Sequence, residues 1–174
     1  MKITCRIVRG QLTFHSSHGS MNITLEHLAP FANKFYQHRP RMIRYRDESI
    51  GITLLIFTSL RFRLMGRGDR HREVLEKFLT TLPYTAVTIS PLTLSTMTVA
   101  SQLVRFANIN LQKLPWTRFR WESELFPAAQ WLHGSGGGEH VNLFHTGRVV
   151  ITGVKCLTKA QHLLSQLESE LLSL

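Results

Sequence analysis

The sequence predicts an α+β protein built from two similar halves, and three observations lead there. The stretch Val141–Lys155, VNLFHTGRVVITGVK, runs through apolar residues into a Thr146-Gly147 turn and out through Val149, Val150 and Ile151 to Thr152-Gly153, the pattern of a β-hairpin. An echo lies upstream at Leu54–Gly66, LLIFTSLRFRLMG, where Phe57 and Phe144 stand 87 positions apart, as do Gly66 and Gly153. A helix-like stretch follows each copy, RHREVLEKFLTTL at Arg70–Leu82 and LTKAQHLLSQLESELLS at Leu157–Ser173. Two strand-rich halves that each close with a helix imply a duplicated domain, divided into residues 1–86 and 87–174.

Composition narrows the function. The chain has 174 residues, 43% of them hydrophobic, enough for one packed domain or a fused pair of small ones. Lys and Arg number 21 against 11 Asp and Glu, a net charge of +10. Such an excess favours a polyanionic partner, nucleic acid first, although charge alone also fits a surface that merely aids solubility. Cys5 and Cys156 lack metal or disulfide spacing, so no zinc site or disulfide framework is expected and a reducing compartment fits best. No segment has signal-peptide or membrane-span character. The nine histidines form no HExxH or ligand spacing and give Ser or Cys no catalytic partner, so neither an enzyme nor a cofactor is expected.

Taken in order, Ile3–Phe14 alternates as a strand with Ile3, Cys5 and Ile7 on one face and Thr4, Arg6 and Val8 on the other, and a loop follows at 15–20. Asn22 or Thr24 caps a helix through Leu25, Leu28, Ala29 and Ala32, with Glu26 in its first turn and Pro30 limiting its length. The basic segment Phe35–Ile50, carrying Arg39, Arg41, Arg44 and Arg46, reads as a strand that turns through Asp47-Glu48-Ser49 into the first hairpin. There the two-residue period puts Phe57, Ser59, Arg61, Arg63 and Met65 on one face, suited either to an anion or to plain solvation. Pro83–Thr98 reads as a connector, Val99–Leu111 as extended, and GSGGG at 134–138 as a flexible strand connection. Trp116, Trp121 and Trp131 read as packing residues and Cys156 as buried.

Two motifs make the reading specific. WESELFP at Trp121–Pro127, followed by FHTGRVVITGVK at Phe144–Lys155, resembles the second repeat of the TATA-binding protein core domain, and VRFANINL at Val104–Leu111 resembles the strand that opens that repeat. The first repeat is matched by LLIFTS, by the Met65-Gly66 ending and by ITCRIVRG near the start, so the resemblance covers nearly the whole chain. It implies a saddle in which two pseudo-symmetric halves share one curved antiparallel sheet backed by four helices. It also implies a concave face seated on the minor groove of A·T-rich duplex DNA, with phenylalanine pairs wedged into base steps; this family is the standing example of bending DNA in that way.

Carried over by position, Phe126 and Phe144 match the second repeat's wedge pair, Arg148, Val150 and Thr152 the strand on the groove, and Val99 a groove-facing valine. In the first repeat Phe57 matches one wedge residue, but no aromatic falls near residues 38–40; Phe35 or Tyr36 substitutes only if the loop shifts. Lys2 and Met97 stand where the family has groove-reading asparagines, and Arg63 and Met65 replace a valine and a threonine. With Arg61 alongside, the resemblance implies asymmetric binding: a selective second half and a more electrostatic first half. About eight extra residues separate Lys2 from Phe57 relative to Met97 and Phe144, assigned to the 15–20 loop and to Ile50-Gly51.

Glu122 and Glu124 fall where the family receives transcription factor IIB; transcription factor IIA and RNA polymerase are the further partners the resemblance carries, and the nucleus, of a host cell if the source is viral, the expected location. An eroded first repeat suits a fast-evolving source such as a virus or parasite. The competing reading is an adaptor that kept the fold and the factor-binding loop but lost TATA recognition.

Overall fold

The computed structural model describes residues 1–17, 19–134 and 137–174. They form two compact units, a first of Cys5–Ser95 and a second of Met1–Thr4 with Thr96–Leu174. The elements in chain order are β1 (Lys2–Ser16), β2 (Gly19–Met21), α1 (Leu25–Leu28), β3 (Lys34–Tyr36), β4 (Met42–Asp47), β5 (Ile52–Phe57), β6 (Arg61–Gly66), α2 (His71–Thr80), β7 (Val87–Ile89), β8 (Thr93–Gln102), β9 (Phe119–Arg120), β10 (Ala128–Trp131), β11 (His140–Phe144), β12 (Arg148–Val154) and α3 (Leu157–Leu172).

In the first unit the strands lie in the order β3-β4-β5-β6-β1, all antiparallel, with β2 and β7 pairing the far end of β1. Alternation gives the sheet one buried face. Ile52, Leu54 and Ile56 of β5 and Phe62 and Leu64 of β6 are buried, and the amphipathic helix α2 covers them with Val74, Leu75 and Phe78. Gly10 is required by this packing, because a Cβ there would stand 2.5 Å from the Phe62 ring. The turn after β4 is locked by Asp47, whose carboxylate accepts from Lys77 Nζ of α2 at 2.5 Å, from Ser49 Oγ at 2.6 Å and from the Ile50 amide at 3.1 Å. Lys77 and these hydrogen bonds hold Asp47 well below the usual carboxylate range.

The second unit repeats the plan with the order β8-β12-β11-β10-β9. Val99, Val141, Leu143, Val149 and Ile151 form its buried face, closed by Ala160, Leu163, Leu167 and Leu171 on one side of α3. Both hairpins use a three-residue loop in which the third residue is left-handed, Leu60 (φ 58°) after Phe57 and Gly147 (φ 76°) after Phe144. The Leu60 and Gly147 amides each return to the strand end, donating to Phe57 O at 2.8 Å and to Phe144 O at 2.9 Å.

Several expectations change. Of the two faces of β1, the core of the first unit takes Val8, Leu12 and Phe14, while Ile3 packs against the core of the second. β1 runs on to Ser16 and pairs with Gly19–Met21, so the described part of the 15–20 segment is a hairpin; His18 lies outside the described residues, as do Ser135 and Gly136 of the 134–138 tract. Thr93–Thr98, expected as connector, belongs to β8, while Val104–Phe106 and Leu111–Lys113 are single 3-10 turns rather than strand. In place of four helices the described residues hold three α-helices, because the second unit has those 3-10 turns where the first has α1. Pro30 ends α1 after Leu28 in a 3-10 turn, with Thr24 at the N-cap.

Candidate nucleic-acid interface

The strands of each unit bury one face on that unit's helix and leave the other open, and the open faces carry the residues of interest. In the second unit the period of β12 that buries Val149 and Ile151 turns Arg148, Val150 and Thr152 outward, and β11 likewise turns out Asn142 and Phe144. Register lays a row across the five strands: Ala100 opposite Val150, Val150 opposite Asn142, Asn142 opposite Gln130, Gln130 opposite Arg120. Four of these five are uncharged and two are small or apolar. At the sheet tip Phe144 pairs across with Ala128, and Phe126 stands two residues before Ala128. The turn Glu122–Phe126 is closed by the Leu125 and Phe126 amides, which donate to Glu122 O at 3.0 Å each, and it returns Phe126 to the side of this small alanine. The Phe126 and Phe144 rings meet edge to face with centroids 6.0 Å apart, and Phe126 remains 46% exposed.

The corresponding row of the first unit differs in chemistry. Arg9 stands opposite Arg63, Arg63 opposite Leu55, Leu55 opposite Arg44, and Arg44 opposite Lys34. Its tip row places Tyr36, Met42 and Phe57 side by side across β3, β4 and β5. The Arg63 guanidinium lies 5.7 Å from the Phe57 ring centroid and Lys34 Nζ 4.9 Å from that of Tyr36. Arg9, Arg61 and Arg63 line a cavity of about 450 Å³ with Gln11, Phe57 and Ser90. Among the described residues no group of His, Cys, Asp and Glu is placed to hold a metal ion.

The whole chain is similar in structure to Methanococcus jannaschii TBP, with a TM-score of 0.78 over 99% of this chain and 98% of that one, at 20% sequence identity. The chain has the TBP fold. No protein-family model matches the sequence, and no curated protein matches it. A fold kept at so low an identity fits the pattern above, in which the buried alternation is intact in both units while the open faces diverge.

Against this TBP fold the positions expected from the sequence fall as follows. Phe126 and Phe144 come together, and Arg148, Val150 and Thr152 lie on the same open face as Phe144. Val99 does not: it is fully buried in the core opposite Ile151, as Met97 is opposite Val154, so Thr98 and Ala100 hold the outward positions of β8. The bulge at Gly153 (φ 83°), where three residues of β12 span two of β8, is the local irregularity in that pairing. Lys2 begins β1 as an exposed residue; two positions on, Thr4 Oγ1 donates to Thr98 O at 3.2 Å. Phe57, Arg61 and Arg63 share the open face of the first unit; Phe35 packs on its core, whereas Tyr36 sits on the open side.

Glu122 and Glu124 rim a cavity of about 570 Å³ with Gln112, Trp116, Trp121 and Leu125. Trp116 is exposed rather than packed, and so is Cys156; Trp131 lies in the core. Arg9, Lys34 and Met42 join the candidate site only in the folded chain, where they stand beside Arg63, Arg44 and Tyr36. Register across neighbouring strands assigns them to it, and alternation along a single strand does not supply that signal.

Proposed function

We propose that this protein binds duplex DNA through the minor groove, bends A·T-rich promoter sites and takes part in transcription initiation as a divergent TBP-like factor rather than as an enzyme. The half-exposed Phe126–Phe144 pair at the end of an open, mostly uncharged sheet face carries this reading. A flat aromatic edge replaces a base neighbour in the stack, and small or apolar side chains such as Ala100 and Val150 suit a widened, shallow groove floor. In this reading Phe126, Phe144, Arg148, Val150 and Thr152 contact DNA from the second unit, and Phe57, Arg61, Arg63 and Lys2 contribute elsewhere. The two units act as a duplicated pair, one selective and one electrostatic. Glu122 and Glu124 receive a transcription factor IIB-like partner, transcription factor IIA and RNA polymerase join the assembly, and the site of action is the nucleus.

The test is energy transfer across end-labelled A·T-rich and G·C-rich duplexes. A bend confined to the A·T-rich duplex and lost in Phe126→Ala/Phe144→Ala supports the proposal; equal affinity for both with no bend rejects it.

A second reading, an adaptor that binds transcription factors without reading TATA sequence, is favoured by the exposed Trp116 and Leu125 beside Glu122 and Glu124. Pull-down of transcription factor IIB that survives loss of DNA binding but fails in Glu124→Arg supports it.

A further inference from the structure

The first unit carries 13 Lys and Arg against six acids, a net of +7, whereas the second carries eight against five, a net of +3. Five of those six acids are engaged in ion pairs with cations outside this row: Glu26 with Arg41, Asp47 with Lys77, Glu48 with Arg46, Glu73 with Arg70 and Glu76 with Arg72. Among the described residues no ion pair reaches Arg9, Arg63, Arg44 or Lys34. Arg44 Nε is shielded from solvent without a hydrogen-bond partner. Arg9 and Arg63 face each other directly across neighbouring strands, as do Arg44 and Lys34, an arrangement that disfavours the sheet unless an anion lies over it.

We infer that this row, Lys34–Arg44–Leu55–Arg63–Arg9, is a track for the phosphates of a nucleic-acid backbone, binding them without reading sequence. Five adjacent strands at ~4.8 Å give a row of roughly 19 Å. At about 3.4 Å of rise per charge on one strand of a duplex, that length spans roughly five phosphates. Arginine forks fit phosphate oxygens in pairs. Tyr36 and Phe57, each beneath a cation of the row, add the aromatic interleaving that suits a nucleotide chain better than an acidic peptide. The inference rests on the nucleic-acid reading above but not on bending or on A·T preference.

The test is the salt dependence of binding to a mixed-sequence duplex by the full chain and by Arg9→Gln/Arg44→Gln/Arg63→Gln. The slope of log Kd against log salt falls by about 0.9 for each phosphate contact removed, so by roughly 2.7 in the triple variant, with at least about a hundredfold weaker binding at low salt. The Lys version of the triple variant keeps most of the slope, and Arg72→Gln, a cation already paired, leaves it unchanged. Arg63→Gln alone lowers it by about 0.9, which covers the case of a triple variant that does not fold. Tripolyphosphate raises the melting temperature of the wild type and not of the Gln variant. An unchanged slope overturns the inference, as does polyglutamate competing as well as the duplex. If the duplex is never bent but the Gln variants still lose the slope, the track stands and the promoter-bending proposal falls. Bending with an unchanged slope leaves the promoter-bending proposal standing and removes the track.

Discussion

The ring of Phe126 meets that of Phe144 edge to face at 6.0 Å, although 18 positions separate them in the chain, because Phe144 pairs directly with Ala128 and the Glu122 turn returns the chain just ahead of that alanine. The pair depends on a small residue at 128. Ala128→Leu crowds the rings and is expected to weaken A·T-rich DNA binding by about tenfold while leaving the unfolding midpoint within a few degrees, since a misplaced stacking residue forfeits on the order of 1–3 kcal/mol. Fluorescence anisotropy alongside thermal melting checks both halves.

The register of β8 separates two neighbouring residues by role. Val99 is fully buried and Ala100 faces out opposite Val150. Val99→Ala is expected to cost about 2 kcal/mol in a urea titration with DNA affinity unchanged once folded protein is compared. Ala100→Glu should leave stability nearly intact and abolish DNA binding. The reverse pattern would place the opposite face of β8 on the ligand.

Gly147 closes the second hairpin in a left-handed conformation, and a Cβ there would lie 2.5 Å from Leu103 O and 2.9 Å from Phe106 O. Those are backbone atoms and do not yield easily. Gly147→Val is expected to destabilise by at least about 2 kcal/mol, from the left-handed backbone and the clash together. Denaturant unfolding of the variant measures it.

Asp47 joins β4 to α2 through Lys77, and its pKa is held low first by that ammonium, then by Ser49 and Ile50. A carboxyl whose folded pKa is depressed contributes stability that is present above its unfolded value of about 3.9 and lost as pH falls below it. Asp47→Asn should lower the melting temperature at pH 7 and flatten the loss of stability between about pH 5 and pH 2. A variant curve parallel to that of the wild type would show that the pair does not matter.

His71 is buried on α2 with Nε2 unpartnered, and burial pushes its pKa down. The unfolded chain therefore binds the proton more readily, so stability is full above the ordinary imidazole value of about 6.5 and declines as pH falls below it. His71→Leu should remove that decline between about pH 7 and pH 5. Melting temperatures across that range decide the matter.

Much of this is legible in the chain itself. The hairpins at 54–66 and 141–155 and the helices after them are local patterns, and two-residue alternation separates the buried Val149 and Ile151 from the outward Val150. What a single strand does not reveal is its partner. Val99 and Ala100 read alike until β8 is paired with β12, and Arg9, Arg44 and Lys34 are ordinary surface cations until five strands line them up. VRFANINL imitates a strand because its apolar residues alternate; in the structure Val104 is exposed, Phe106 and Ile109 are partly buried against the core and Leu111 is buried, with Val104–Phe106 in a 3-10 turn. Trp116 shows the converse, a large apolar residue left in solvent beside an acidic rim.

Everything proposed for the second unit turns on whether its two phenylalanines part stacked bases. An A·T-rich duplex with 2-aminopurine placed at successive steps reports this directly, because its fluorescence rises when it leaves the stack. A rise is expected at one step on adding the wild-type protein, and none with Phe126→Ala/Phe144→Ala at saturating concentration. Saturation by the wild type with no rise at any step would contradict the wedge.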